Sequence, residues 1–338
     1  MDARKTLLGA LGLVFAAVLA LGVLPVASDR PPLGTPTPSP TRTPTVTPTP
    51  TSTPTVTPTP TSTPTATAAA TPTPTPIPPT PTPATAGSHL WLASPLLFDS
   101  EAEPYQADYF PYGADRKPFR LHHGADFPKP AGTPVAAPAA GTVSVAGTDK
   151  DLQYGARLDF YGNLVVLQLD RPFQGRPVYV LFGHLSEVRV RAGQHVQEGE
   201  VVGLVGGTGA AYGAAHLHVE VRLGENSYDT TRNPLLWLQP GPGQGIIAGS
   251  VRDARGKPMP TLAVSFFRAA QPGKWWRETL TYADREVNPD QDLGENFVLG
   301  YVPAGEYLVK VKIGDRAIVR PVTVRPDEIT FVQIRPEE

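Results

Sequence analysis

From Pro31 to Ala86 the chain is almost entirely Thr, Pro, Ala and Ser, in repeats such as Thr-Pro-Thr-Pro-Thr-Ser-Thr-Pro. Proline fixes φ and removes backbone donors, and the stretch has too few large apolar side chains to build a core. It is predicted to be a disordered, polyproline-like spacer of at most ~170 Å, at about 3.1 Å per residue. Its hydroxyls offer sites for sugars. Of the 338 residues, only those from Gly87 onward are then left to fold. That remainder is long enough for two domains with cores of their own.

Arg4 and Lys5 precede an apolar run from about Leu7 to Leu24, followed by Pro25, Val26, Ala27 and Ser28. A short basic start before an apolar stretch reads as an export signal. The run sits at the lower limit for crossing a bilayer. Residues 1–30 therefore fit either a cleaved signal peptide or an uncleaved membrane anchor, and both readings stand open. In either case the body of the protein is expected outside the cytoplasm, secreted or tethered to the cytoplasmic membrane. A net charge of −2 gives no reason to expect nucleic acid, whose binders usually carry a basic patch. The chain has no cysteine, which excludes disulfides, thiolate metal sites, a Cys nucleophile and a lipid anchor on Cys. A domain of this size needs no disulfide staples, so their absence does not argue against export.

Residues 87–240 are predicted to be β-rich. Short apolar or alternating runs recur at Thr142–Ala146, Leu164–Leu169, Val178–Phe182, Val201–Val205 and Leu217–Leu223. Gly, Pro and Asn punctuate them, as in an antiparallel sheet system. Asn233-Pro-Leu-Leu-Trp-Leu closes the domain with one helical turn, and Gly241-Pro-Gly-Gln-Gly marks a boundary. Residues 246–338 read as a second all-β unit, with runs at Ile246–Val251, Leu262–Phe267, Glu306–Ile313, Ala317–Val324 and Thr330–Ile334. Gly249-Ser-Val-Arg-Asp-Ala-Arg-Gly-Lys-Pro and Val302-Pro-Ala-Gly-Glu-Tyr-Leu-Val resemble the carboxypeptidase regulatory-like, transthyretin-type β-sandwich. This unit holds no His, so a metal-centred enzyme is not expected in it. Trp275 and Trp276 fit either stacking on sugar rings or covering the edge of the sandwich.

The chemistry-bearing residues lie in the first domain. The chain has seven histidines, and five fall in Leu-His122-His123-Gly-Ala-Asp126-Phe, Leu-Phe-Gly-His184-Leu and Ala-His216-Leu-His218-Val-Glu220-Val. His216 and His218 lie in a strand pattern, so both project to one face, about 6.5–7 Å apart along the strand. That spacing suits one as a metal ligand and its neighbour as a proton handler. His122 and Asp126 are four apart around Gly124, with Pro128 after, which argues against a helix. A turn at Gly124 instead allows both onto one ion; alone, such a pair is more often a surface feature. Glu220 shares the histidine face and reads first as a solvent-side strand carboxylate, second as a group supporting the metal ligands from behind. His195 reads as a surface turn residue, and His89, beside the spacer, as carrying little.

Taken together, His122-His-Gly-Ala-Asp-Phe, Pro130-Ala-Gly-Thr-Pro-Val with Gly141-Thr-Val, Tyr161-Gly-Asn-Leu-Val-Val, Phe182-Gly-His-Leu, Gly199-Glu-Val-Val-Gly and His216-Leu-His-Val-Glu resemble the M23 family of zinc metallopeptidases. This family comprises the lysostaphin and LytM-type peptidoglycan endopeptidases. The resemblance implies one zinc ion held by His122, Asp126 and His218, with His184 and His216 as the catalytic non-ligand histidines. It implies that His123 does not bind metal, and Tyr112 is the candidate for the aromatic that often precedes the first motif. Gly183 and Ala215 stand where the family more often has Ala and Pro, without removing a ligand. The implied function is zinc-dependent hydrolysis of peptidoglycan cross-links. Its rival is a catalytically silent peptidoglycan-binding regulator, against which stands the complete His/Asp set. A biotinyl- or lipoyl-type carrier is argued against by the lack of a Lys in a Met-Lys context.

Overall fold

Glycine, proline and asparagine cut the chain into apolar runs too short for helices, and these runs pair with one another. The computed structural model describes residues 89–96, 108, 110–116, 121–283 and 286–336. The expected export segment (1–30) and spacer (31–86) lie outside the described residues. The first half consists of β1 (Ala125–Pro128), β2 (Pro134–Ala136), β3 (Gly141–Thr148), β4 (Asn163–Leu169), β5 (Val178–Leu185), β6 (Glu187–Val188), β7 (His195–Val196), β8 (Val201–Leu204), β9 (His216–Leu223) and β10 (Thr231–Arg232). A seven-stranded antiparallel sheet runs β1-β9-β5-β4-β3-β7, with β10 also paired to β9. β2, β8 and β6 make a small antiparallel sheet of their own.

The period of two along each strand decides what each sheet face does. Ala125 and Phe127 of β1, Val180 and Phe182 of β5, and Leu217, Val219 and Val221 of β9 turn into one core with Val135, Val202 and Leu185. Each buried Val, Leu or Phe side chain here contributes about 1.5–3 kcal/mol. The alternate residues of β9, His216, His218, Glu220 and Arg222, face the other way and are buried too. The expected helical turn forms at Pro234–Leu236, where the Asn233 side chain accepts from the Leu235 N–H at 3.1 Å. It carries Trp237, which is fully buried, into the same core.

The second half consists of β11 (Gln244–Val251), β12 (Ala263–Arg268), β13 (Trp275–Leu280), β14 (Phe297–Pro303), β15 (Gly305–Ile313), β16 (Arg316–Val324) and β17 (Ile329–Ile334). They form sheets β14-β11-β17 and β13-β12-β15-β16. Phe266, Phe297, Val309, Val324 and Ile334 pack between these sheets. In this mainly β chain, β11 and β17 run parallel, an exception among the named strands, whose other pairings are antiparallel. β11 is buried along its whole length, because its two faces enter different cores. Ile246 and Ala248 join the core of the first half, while Ile247 and Val251 join that of the second. The glycine-rich stretch at 241–245 is thus a turn across which packing continues, and the described residues belong to one compact unit. Trp275 is 58 % exposed, whereas Trp276 stacks on Tyr307 with centroids 5.0 Å apart.

Candidate metal centre and cleft

Antiparallel pairing of β1 with β9 sets Asp126 directly opposite His218. Directly opposed side chains on one face are close enough to touch, and His218 Nδ1 lies 2.9 Å from Asp126 Oδ1. The turn before β1 brings in His122, whose Nε2 is 3.3 Å from the same oxygen and 3.3 Å from His218 Nδ1. Gly124 makes this approach possible. A Cβ there would stand 2.5 Å from both His218 Cε1 and the Val219 carbonyl oxygen.

Three donors on a common point at 2.9–3.3 Å match the edges of a tetrahedron, which are about 3.3 Å when the metal–ligand bonds are ~2.0 Å. The three residues are all buried. Burial raises the Asp126 pKa, but His122 and His218 outweigh it and hold the carboxyl well below its usual range. For His218 burial favours the neutral ring, yet hydrogen bonds to Asp126 and Glu220 lift its pKa to about 9. A site that stabilises a positive charge this strongly suits a cation.

His184 and His216 flank this cluster. The ring centroid of His184 lies 5.0 Å from that of His216 and 5.6 Å from that of His218. Nδ1–H of His184 donates to the Thr208 carbonyl at 2.8 Å, and Nδ1–H of His216 to the Ala214 carbonyl at 3.0 Å. A carbonyl only accepts, so these bonds fix the tautomer of each neutral ring, with Nε2 carrying the free lone pair. His216 Nε2 is 3.8 Å from Asp126 Oδ1. His184 adopts φ 61°, in the left-handed region. Strain of this kind persists only where surrounding structure imposes it, here through its N–H bonded to the Tyr161 carbonyl at 2.8 Å. Burial, then His218 and His216, push the His184 pKa down to about 3. All five residues line an open cleft of about 370 Å³, walled by Phe110, Phe160, Tyr212 and Tyr228.

Three sequence readings change here. Glu220 is not on a solvent face: it is 0 % exposed and lies behind His218, with its Oε1 3.2 Å from His218 Nε2. It also accepts from Tyr161 OH and from Arg222 Nε, the latter at 2.8 Å. Arg222 is 0 % exposed and bonds the Tyr154 carbonyl and Asn226. Tyr112 does not reach the histidines. It bonds the Thr231 carbonyl at 3.0 Å, and the aromatic stacked on His122 is Phe110, at 4.3 Å. His89 is buried against Phe173 and Trp237. Of the others, His123 donates from Nδ1 to the Tyr228 carbonyl and stacks on that ring. His195 is exposed and pairs with Asp170 at 2.8 Å.

Residues 120–230 match the model of peptidase family M23. A protein of Haemophilus influenzae named as an uncharacterized metalloprotease is 37 % identical over 127 residues, covering 38 % of this chain and 23 % of its own. The DD-carboxypeptidase/endopeptidase Mpg of Neisseria meningitidis is 35 % identical over 130 residues, covering 37 % of this chain and 26 % of its own. The peptidoglycan DD-endopeptidase ShyA of Vibrio cholerae is 35 % identical over 100 residues, covering 30 % of this chain and 20 % of its own. The chain thus spans about a quarter of the length of the curated relatives it matches.

Proposed function

We propose that this chain is a zinc-dependent endopeptidase that hydrolyses the peptide cross-links of peptidoglycan outside the cytoplasm. Residues 87–240 form the peptidase domain, and 246–338 a C-terminal module of the transthyretin-type β-sandwich class braced against it. The observation that carries the reading is the convergence of His122, Asp126 and His218 at 2.9–3.3 Å, within a stretch that matches peptidase family M23. The peptidoglycan substrate is motivated by the name of the Vibrio cholerae relative.

His122 and His218, each through one ring nitrogen, and Asp126, through a carboxylate oxygen, hold the metal. Zinc bound there supplies Lewis-acid chemistry, polarising the scissile carbonyl and lowering the pKa of water toward 7. His184 and His216 handle the protons. Each keeps Nδ1–H tied to a backbone carbonyl, so Nε2 is the atom that accepts the proton of water as its oxygen bonds to the carbonyl carbon. The same proton then goes to the amide nitrogen as the C–N bond breaks. The low pKa of His184, near 3, keeps that ring neutral at neutral pH. The aromatic walls exclude water and give an extended peptide flat surfaces to lie on.

Export through residues 1–30 is part of the proposal. Among the described residues no helix is long and apolar enough to cross a membrane.

The test is incubation of the purified protein with zinc and intact peptidoglycan, with new amine groups followed by mass spectrometry beside His218→Ala. Products from the wild type alone, abolished by a chelator, identify the peptidase and its bond. Absence of products from a folded, zinc-loaded protein overturns autonomous catalysis in favour of a regulator.

A further inference from the structure

Outside the cleft, one histidine is buried with nothing to bond. His89 is 6 % exposed, and neither of its ring nitrogens has a hydrogen-bond partner among the described residues. Leaving a buried polar group unpaired costs about 1–3 kcal/mol, and such a group calls for an explanation such as an ion or water. Phe173 and Trp237 fix the ring from two sides, with centroids at 6.0 and 6.3 Å.

Its Nε2 lies 3.5 Å from Asp290 Oδ1, with both side chains almost wholly buried. That gap is too long for a good hydrogen bond. It is the separation of two ligands set ~2.1 Å from one ion at a near-tetrahedral angle. Asp290 is held in place by its own loop, since the same Oδ1 accepts the N–H groups of Asp292 at 2.9 Å and Leu293 at 3.1 Å. Asp292 adds a second carboxylate: one ligand atom from each of His89, Asp290 and Asp292 lies within 4.8 Å of the other two. Asp292 is the exposed member; its carboxylate accepts from the exposed amide of Gln174 at 3.1 Å and has room to close the remaining distance.

We propose that His89, Asp290 and Asp292 form a second metal site, separate from the cleft, for a divalent transition-metal ion. An imidazole with two carboxylates selects zinc, cobalt or manganese over calcium and magnesium, which prefer all-oxygen shells. The three ligands come from distant parts of the chain: His89 from the segment directly after the Thr/Pro spacer, the two aspartates from the loop between β13 and β14. The ion is a clasp that pins that segment to the C-terminal module.

The experiment measures zinc per chain by mass spectrometry on the full chain after saturation and dialysis. Wild type is expected to hold two ions, Asp126→Asn one, His89→Gln one, and the double variant none. Asp292→Asn changes an exposed side chain and leaves the fold intact. It is expected to weaken the second ion at least 10-fold and to remove the part of the zinc-induced rise in Tm that Asp126→Asn retains. A wild type with a single ion that Asp126→Asn abolishes overturns the site. So does zinc content that neither His89→Gln nor Asp292→Asn alters.

Discussion

Replacing Glu220 by Gln is expected to weaken zinc binding and to destabilise the fold, by amounts that can be separated. Glu220 and Arg222 are both 0 % exposed, and the carboxylate is shared among His218 Nε2 at 3.2 Å, Arg222 Nε at 2.8 Å and Tyr161 OH. Burial opposes its ionisation, but Arg222 and then His218 overcome this and hold its pKa near 2. Gln keeps the shape and removes the charge, which leaves a guanidinium buried without a counter-ion. Breaking a buried pair in this way costs about 3–5 kcal/mol. The effect on the metal has another origin. An anionic acceptor at Nε2 keeps the proton of His218 on that atom and Nδ1 free to ligate. Losing such support typically weakens metal binding about 10–100-fold, or ~1.4–2.8 kcal/mol.

Adding Arg222→Met separates the two effects. With the unpaired cation gone, most of the stability is expected to return, while zinc affinity stays low because the acceptor behind His218 is still missing. Urea unfolding in chelator measures the first quantity, and zinc competition against a chromophoric chelator the second. Wild-type affinity in Glu220→Gln, or affinity restored by Arg222→Met, refutes the assignment of Glu220 as the residue that orients His218. A loss of stability below ~1 kcal/mol refutes the buried-charge argument.

Further outcomes follow from the same geometry. His184→Ala and His216→Ala are each expected to lower kcat about 10²–10⁴-fold with zinc content unchanged; loss of zinc from either would make that histidine a ligand instead. Gly124→Ala drives a methyl group to 2.5 Å from His218 Cε1 and should cost about 1–3 kcal/mol and release zinc. Gly207→Ala, where a Cβ meets nothing within 4 Å, is the matched control in the same thermal melt. In chelator, burial raises the Glu295 pKa from 4.5 to about 7, so the folded state holds a proton there that the unfolded state has lost. The corresponding stability is complete below pH 4.5 and declines by ~3 kcal/mol as pH rises to about 7. Glu295→Gln should flatten that slope, and an unchanged slope counts against it.

How much of this was legible depended on range. Strands such as Val178–Leu185, Gln244–Val251 and Arg316–Val324 announce themselves by alternating or continuous apolar runs, and the structure extends the sequence-read runs by one to three residues. Ala125–Pro128 and Trp275–Leu280 were not read as strands. Four residues show too little periodicity, and the paired tryptophans with Arg277 and Glu278 break the alternation. The parallel pairing of β11 with β17 is likewise a long-range choice that no local pattern encodes. His89 escaped for a related reason: its aspartate neighbours lie some two hundred residues further along the chain.

Glu220 shows where the missing information lay. Alternation correctly put it on one face of β9 with His216, His218 and Arg222, but whether a strand face is wet depends on what covers it. Here the cover is Tyr161, 59 residues earlier in sequence, together with the Tyr154 carbonyl. On an exposed strand the Glu220–Arg222 pair would be worth well under 1 kcal/mol and would carry no message about the metal. Covered by that loop, the same two side chains can stay buried only if each satisfies the other, and the carboxylate's remaining valence is directed at His218. Burial therefore converts a commonplace charge alternation into the support of the site, so the loop bearing Tyr161 belongs to the metal centre although it contributes no ligand.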